Sequence, residues 1–274
     1  MPSREEEVYA TFFHDPSWPD TWSHEELTTS NPERKRHWRT QPWYDQNRLA
    51  AKFLRRSCNQ SWPWGYVIYR TVYTPESDTH WSAALAKFNR YIHYEIDAER
   101  RHGSEETDLY PERLVNDMYR NVVFSDKDRF DGASIEQIRE HFNQWKESHE
   151  FEAGVTYSGS LTRYNVCLIV DEKALSSLVG SVEPGKREFR DPHGHCITVD
   201  SNYNGGDYDN PGYKGFMFVE GGCFWLLYVY LGGLGMSELC PFVREGQIPL
   251  FDGHNGKAVN KDGKVVMVDW RWQR

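Results

Sequence analysis

Trp64-Gly-Tyr-Val-Ile-Tyr-Arg-Thr-Val-Tyr73 is dominated by β-branched and aromatic side chains. Such a run fits a pleated strand buried on both faces and shows no helical spacing. Past the turn at Pro75, Trp81, Leu85, Phe88, Ile92 and Ile96 recur at spacings of three and four. That is the stripe of a helix whose apolar face lies on the strand before it, with Ser77 or Asp78 as its cap. The strand-helix pair recurs further on. Tyr164-Asn-Val-Cys-Leu-Ile-Val170 reads as a second buried strand, and Asp171 can cap a short helix carrying Leu175, Leu178 and Val179.

Working outward, Leu49 with Phe53 and Ala50 with Leu54 give a short amphipathic helix between Tyr44 and Arg56. Leu109 to Val123 predicts another, with Pro111 at its first position. Ser134 and Gln137 form a capping box for a third, running to about Lys146 through Ile135, Ile138, Phe142 and Trp145. Two more strands are expected at Gly215 to Glu220 and Lys264 to Trp270, with an aromatic-aliphatic core segment, Phe224 to Leu231, between them. Gly180 to Gly215, dense in Gly, Pro, Asp, Asn and His, reads as a long loop whose length without structure points to function. The expectation is an α/β (or α+β) domain over 44–274, with a small central sheet of three or four main strands covered by helices. Residues 1–43, rich in Pro, Trp and charge, form an extended arm packed on that body.

The chain has 274 residues, 15% of them aromatic, which excludes a low-complexity chain. The charged start, Met1-Pro-Ser-Arg-Glu-Glu-Glu, lacks the apolar run of a secretory signal. The longest apolar stretch, Phe224 to Met236, falls short of the roughly 20 residues that span a bilayer. Five scattered cysteines without a Cys-x-x-Cys pair read as reduced thiols. A cytoplasmic protein is the expectation.

The net charge is −9, which argues against a general binder of polyanions. Yet between Glu33 and Arg56 eight basic residues face two acids, a local +6 that leaves −15 elsewhere. Arg48, Lys52, Arg55 and Arg56 share one helical face, just after Trp38, Trp43 and Tyr44. Cations beside flat rings suit a phosphate backbone with an unstacked base; a solvated or internally paired face is the alternative.

A second constellation is Asp191-Pro-His193-Gly-His195-Cys-Ile-Thr-Val-Asp200-Ser201, continuing through Asp207 and Asp209. His-x-His with nearby carboxylates could be a metal site, a polar loop, or an acid-base pair of His193 or His195 with Asp200. The spacing fixes no ligand set, and no metal is assigned. Third, Asp200, Glu220 and Asp269 each follow or interrupt an apolar run, where a carboxylate can receive a guanidinium or act as a general base. Arg70, in the first strand, joins the candidate substrate-binding cations. No nucleophile elbow, Walker A loop, dinucleotide fingerprint or kinase signature is present. Ser158, Ser160, Ser201, Cys196 and Cys223 are available hydroxyls and thiols without a recognisable base.

The run Trp62 to Tyr73, the Trp81 helix, the Tyr164 to Asp171 strand and the Asp200 to Tyr203 turn together resemble the fungal arginine-containing cyclodipeptide synthases of secondary-metabolite clusters. The resemblance is one of layout and carries no family residue onto a numbered position. It implies a tRNA-dependent aminoacyltransferase that joins an arginyl group and a second aminoacyl group into a diketopiperazine, with two aminoacyl-tRNAs as substrates and neither metal nor ATP as cofactor. On that reading Arg48, Lys52, Arg55 and Arg56 hold phosphates, and Asp200 or Glu220 recognises the arginine side chain or its amine. The alternatives are a non-catalytic interaction or effector-like protein, or a small-molecule tailoring enzyme using His193 or His195 with Asp200.

Overall fold

The computed structural model describes residues 38–57, 64–101, 109–153, 162–186, 194–206, 210, 212–254, 256–262 and 264–268. Most of the expected arm lies outside them, as do Cys58, Ser158, Ser160, Asp191, His193, Asp207, Asp209 and Asp269. In chain order the first half holds α1 (Leu49–Ser57), β1 (Val67–Arg70), α2 (Pro75–Arg101), α3 (Tyr110–Asp117) and β2 (Val122–Phe124). Then come α4 (Lys127–Phe130), α5 (Ile135–Ala153), α6 (Thr162–Asn165), β3 (Val166–Val170) and α7 (Glu172–Gly180). The last part holds β4 (His195–Asp200), β5 (Phe216–Glu220), α8 (Phe224–Leu231), α9 (Met236–Leu239), β6 (Ile248–Phe251), β7 (Lys257–Val259) and β8 (Val265–Met267).

The eight described strands form one sheet in the order β2-β1-β3-β4-β5-β6-β7-β8. The α/β expectation holds, but the sheet is twice as wide as the three or four main strands expected. β1 is parallel to β2 and β3, β4 runs antiparallel between β3 and β5, and β6 is parallel to β5. Hence β1, β2, β3, β5 and β6 point the same way. Their carboxyl ends share one edge of the sheet with the amino end of β4.

Both faces are covered, which is why β1 and β3 read as continuous apolar runs rather than alternating ones. One face presents Tyr66, Ile68, Leu168, Cys196, Met217 and Val219 to α1, α2, α3, α7 and α8. The other presents Val67, Tyr69, Ile169, Ile197, Val199 and Phe218, with Phe130, Ile138 and Phe142 of α4 and α5 over part of it. Phe88 of α2 meets Phe224 at 4.3 Å between ring centroids, a contact at the centre of the first core. The approach to β1 requires Gly65: its φ is +144°, and a Cβ there would lie 2.2 Å from the Arg120 carbonyl oxygen.

Local signals hold where they are short-range. Ser134 and Gln137 exchange the capping-box hydrogen bonds, at 3.3 and 2.8 Å, and the Asp171 carboxylate accepts from the Ala174 N–H at 2.8 Å. Other expectations are corrected. The cap of α2 is Thr74, whose hydroxyl accepts from the Ser77 N–H, not Ser77 or Asp78. The expected helix from Leu109 to Val123 stops at Asp117, because Val122 joins the sheet beside β1. The loop expected over Gly180 to Gly215 contains β4, pairing on both sides. Phe224 to Leu231 is a helix; it is buried nearly all round, so no amphipathic period marks it. Among the described residues no helix is long and apolar enough to cross a membrane.

Candidate functional site

The carboxyl edge gathers five titratable side chains. His195 opens β4 directly opposite Glu220, the last residue of β5. Two residues beyond the Ile169–Ile197 pair, Asp171 stands on the other side of His195. One residue beyond the Val219–Phe251 pair, Asp252 stands beside Glu220. Strand alternation puts His195, Glu220 and Asp252 on the face of Ile197, Phe218 and Leu250. The result is a row, Asp171–His195–Glu220–Asp252, with neighbours about 4.8 Å apart at the backbone. Lys257, paired in register with Leu250, reaches back to it: its Nζ lies 3.3 Å from Glu220 Oε1 and 3.6 Å from Asp252 Oδ2.

The electrostatics follow from burial. Glu220 is 7% exposed, and Lys257 is more open than the two carboxylates it bridges. Burial pushes the His195 pKa below its ordinary value, while Asp171 and Glu220 pull it the other way and do not win. The imidazole is therefore neutral near pH 7. Its ring packs against Phe218 at 4.7 Å, and its nitrogens hydrogen-bond to nothing among the described residues. Three carboxylates against one ammonium leave the row formally at −2. A neutral base beside an anionic row suits a substrate with a guanidinium or ammonium group and a proton to give up. Among the described residues no group of three or more His, Cys, Asp or Glu side chains could hold a metal ion.

Asp200 belongs to a different place. It ends β4 at the opposite edge of the sheet, about 17 Å from His195 at the usual rise of about 3.4 Å per residue. There it accepts from the Asn202 N–H at 2.9 Å and from the Tyr213 hydroxyl at 2.6 Å, closing the turn after β4. Burial and this carboxylate push the Tyr213 pKa far up. The expected pairing of His195 with Asp200 is thus corrected to His195 with Glu220, because β4 runs antiparallel to its neighbours and its two ends lie on opposite edges.

Arg70 sits where chain reversal would open a crevice. The connection from β1 to β2 covers one face and that from β2 to β3 the other, and ligands of open α/β sheets bind outside such adjacent carboxyl ends. Here the position is filled. The guanidinium lies 4.4 Å from the Tyr73 ring and 5.1 Å from the Trp81 ring. It donates to the Val72 carbonyl at 2.8 Å, to Ser77 Oγ at 3.0 Å and to Asp78. Arg70 fastens the start of α2 to β1 rather than offering its fork to a substrate.

The basic face of α1 divides. Arg48 pairs with Glu112 at 2.5 Å, and Glu112 is 1% exposed. Arg55 donates to the carbonyls of Tyr44 and Gln46. Among the described residues Lys52 and Arg56 make no ion pair or side-chain hydrogen bond, and Arg56 is exposed. The flat rings are not available as a stacking platform: Trp38 and Trp43 are buried in the core, 5.7 Å apart. Nor is α1 near the row. Phe53 packs on Trp64, which precedes β1, so the helix covers the amino-end side of the sheet.

The available nucleophiles also fall away. Cys167, Cys196, Cys223 and Cys240 are buried, and burial drives the first three thiols well above the range in which a thiolate forms near pH 7. Ser201 is buried and donates to the Tyr164 carbonyl. Asp171, Asp252 and Lys257 were not singled out as site residues in the sequence. A signal for the acids exists: each of Val170-Asp171, Val219-Glu220 and Phe251-Asp252 places an acid immediately after an apolar run. Compared with family models, with curated proteins and with solved structures, the chain matches none.

Proposed function

We propose that the protein is an enzyme that performs acid-base chemistry on a small cationic substrate at the carboxyl edge of its sheet. The observation that carries this reading is the register placing His195 between Asp171 and Glu220, with Asp252 and Lys257 alongside. The carboxylates receive the cation, His195 takes the proton, and Lys257 holds Glu220 and Asp252 in position.

The resemblance to arginine-containing cyclodipeptide synthases gives this reading a specific form. The guanidinium of an arginyl group lies along the acidic row. The amine of one aminoacyl group loses a proton to His195 and attacks the ester carbonyl of the other. A C–N bond forms, the C–O bond to that tRNA ribose breaks, and the ribose oxygen leaves with a proton. The free amine of the resulting dipeptidyl ester then attacks the remaining ester carbonyl, a second C–N bond forms, and the second ribose oxygen leaves with a proton, closing the ring. Lys52 and Arg56 are the cations that remain for phosphate; the rest of the basic face supports the fold.

Expression in a microbial host and mass spectrometry of the medium tests both levels. Arginine-bearing diketopiperazines that appear with the wild-type chain and vanish with Glu220→Gln support the specific form. Product unchanged in Glu220→Gln and in His195→Asn removes the row from the chemistry.

A further inference from the structure

A second polar feature lies on the side of α2 away from the row. The Tyr66 backbone N–H donates to Asn121 Oδ1 at 2.8 Å. A backbone N–H can only donate, so the Asn121 amide is fixed, and its Nδ2 donates to Asn89 Oδ1 at 3.0 Å and to the Tyr119 hydroxyl at 2.6 Å. That hydroxyl passes its own proton to Asn89 Oδ1 at 2.9 Å. The Asn89 oxygen therefore receives two donors and faces inward, and its NH2 faces the other way. Asn89 is 2% exposed, and this NH2 hydrogen-bonds to nothing among the described residues. A donor pair that the described residues leave without an acceptor is available to a ligand or water that reaches it.

Asn89 lines a pocket of about 200 Å³, and with its oxygen held by Tyr119 and Asn121 the NH2 is the polar end left for that pocket. Ala86, Tyr94 and Pro184 form its apolar walls. Arg90 and Glu183, also lining it, neutralise each other through two hydrogen bonds of 2.9 and 3.1 Å. His93 is the remaining polar wall. The Asn116 Nδ2 donates to Asp97, so the Asn116 oxygen at 2.7 Å accepts from His93 Nδ1. Burial keeps this imidazole neutral, which makes its Nε2 an acceptor. The pocket thus has one fixed donor pair, no net charge and flat apolar walls. Its volume is below the roughly 300–1,000 Å³ of sites for drug-sized ligands.

We propose that this pocket is a binding site for a neutral, planar, carbonyl-bearing small molecule of about nucleobase size, whose carbonyl accepts from Asn89 Nδ2 and whose ring lies against Tyr94 and Pro184. The site stands apart from the carboxyl-edge row, and its test does not depend on the proposed activity.

The test is titration of the 15N-labelled full-length protein with nicotinamide and with uracil, following side-chain amide resonances. The expected result is a saturable shift of the Asn89 NH2 signals with an apparent Kd of about millimolar, as fits a ligand of so few atoms. Asn89→Asp keeps an oxygen for Tyr119 and Asn121 but replaces the donor pair, and should weaken binding about tenfold, the loss of one buried hydrogen bond. Ala86→Phe fills the pocket without touching the amide network and should abolish the shift, with folding checked by an unchanged melting temperature. Absence of a saturable shift with both probes overturns the proposal, as does binding that survives undiminished in either folded variant.

Discussion

The basic face of α1 and the carboxyl-edge row make opposite use of charge. On and just before α1 four cations fall within nine residues, and the fold takes two of them for itself: Arg48 compensates buried Glu112, and Arg55 satisfies the carbonyls of Tyr44 and Gln46. In the row, five groups spread from Asp171 to Lys257 are brought side by side by strand register, and the His195 ring keeps its nitrogens unengaged among the described residues. A run of like charge in a sequence marks where counter-charges must be supplied. Convergence of unlike groups from separate strands marks where a ligand can be met.

The sharpest way to break this comparison is to remove the row's chemistry. Glu220→Gln and His195→Asn should each lower turnover by about 10²–10⁴, the usual worth of a positioned acid-base group, with melting temperature little changed. Stability unaffected and product unaffected together would make the row an ordinary polar edge. Next in size, Arg48→Ala should destabilise the fold by about 3 kcal/mol in chemical denaturation, because it removes an ion-pair partner from the buried Glu112 carboxylate. A loss no larger than that of Lys52→Ala would show that the two halves of the α1 face do not differ.

A smaller effect concerns pH. Burial lowers the folded-state pKa of both His195 and His93 below the ordinary value of 6.5. Below about pH 6.5 the unfolded chain binds protons that the folded chain refuses, so stability present above that pH is lost as pH falls through the folded pKa values. His93→Asn with His195→Asn should flatten the decline measured by denaturation between pH 7 and pH 5. Smallest for the fold, Lys52→Glu with Arg56→Glu should change stability by no more than about 0.5 kcal/mol. If tRNA is a partner, the same pair should reduce the salt slope of its binding by about 1–2. An unchanged slope would take this helix out of nucleic-acid recognition.

Much of the architecture was legible because it is local. The β1 and β3 runs, the α2 and α5 stripes, the capping box at Ser134 and the Asp171 cap depend on residues within a few positions of one another. What was not legible has physical causes. β4 is the longest described strand, at six residues, but its β-branched Ile-Thr-Val sits inside a stretch dense in Gly, Pro, Asp and Asn that masks it as loop. α8 is apolar on nearly every side, so burial erased its period. Trp38 and Trp43 looked like a stacking platform, yet large rings are worth more in the core than at the surface, and that is where they went.

The candidate site shows the division most clearly. An acid that ends an apolar run is visible in the sequence at Asp171, Asp200, Glu220 and Asp252 alike. Local chemistry settles that each stands at a strand end, because a carboxylate leaves the buried sheet where water begins. Only the tertiary structure decides which end. Parallel pairing carries Asp171, Glu220 and Asp252 to one edge; antiparallel pairing brings His195 there and sends Asp200 to the other. Strand direction depends on hydrogen bonds between segments distant in the chain, and no residue in any one of those segments records it.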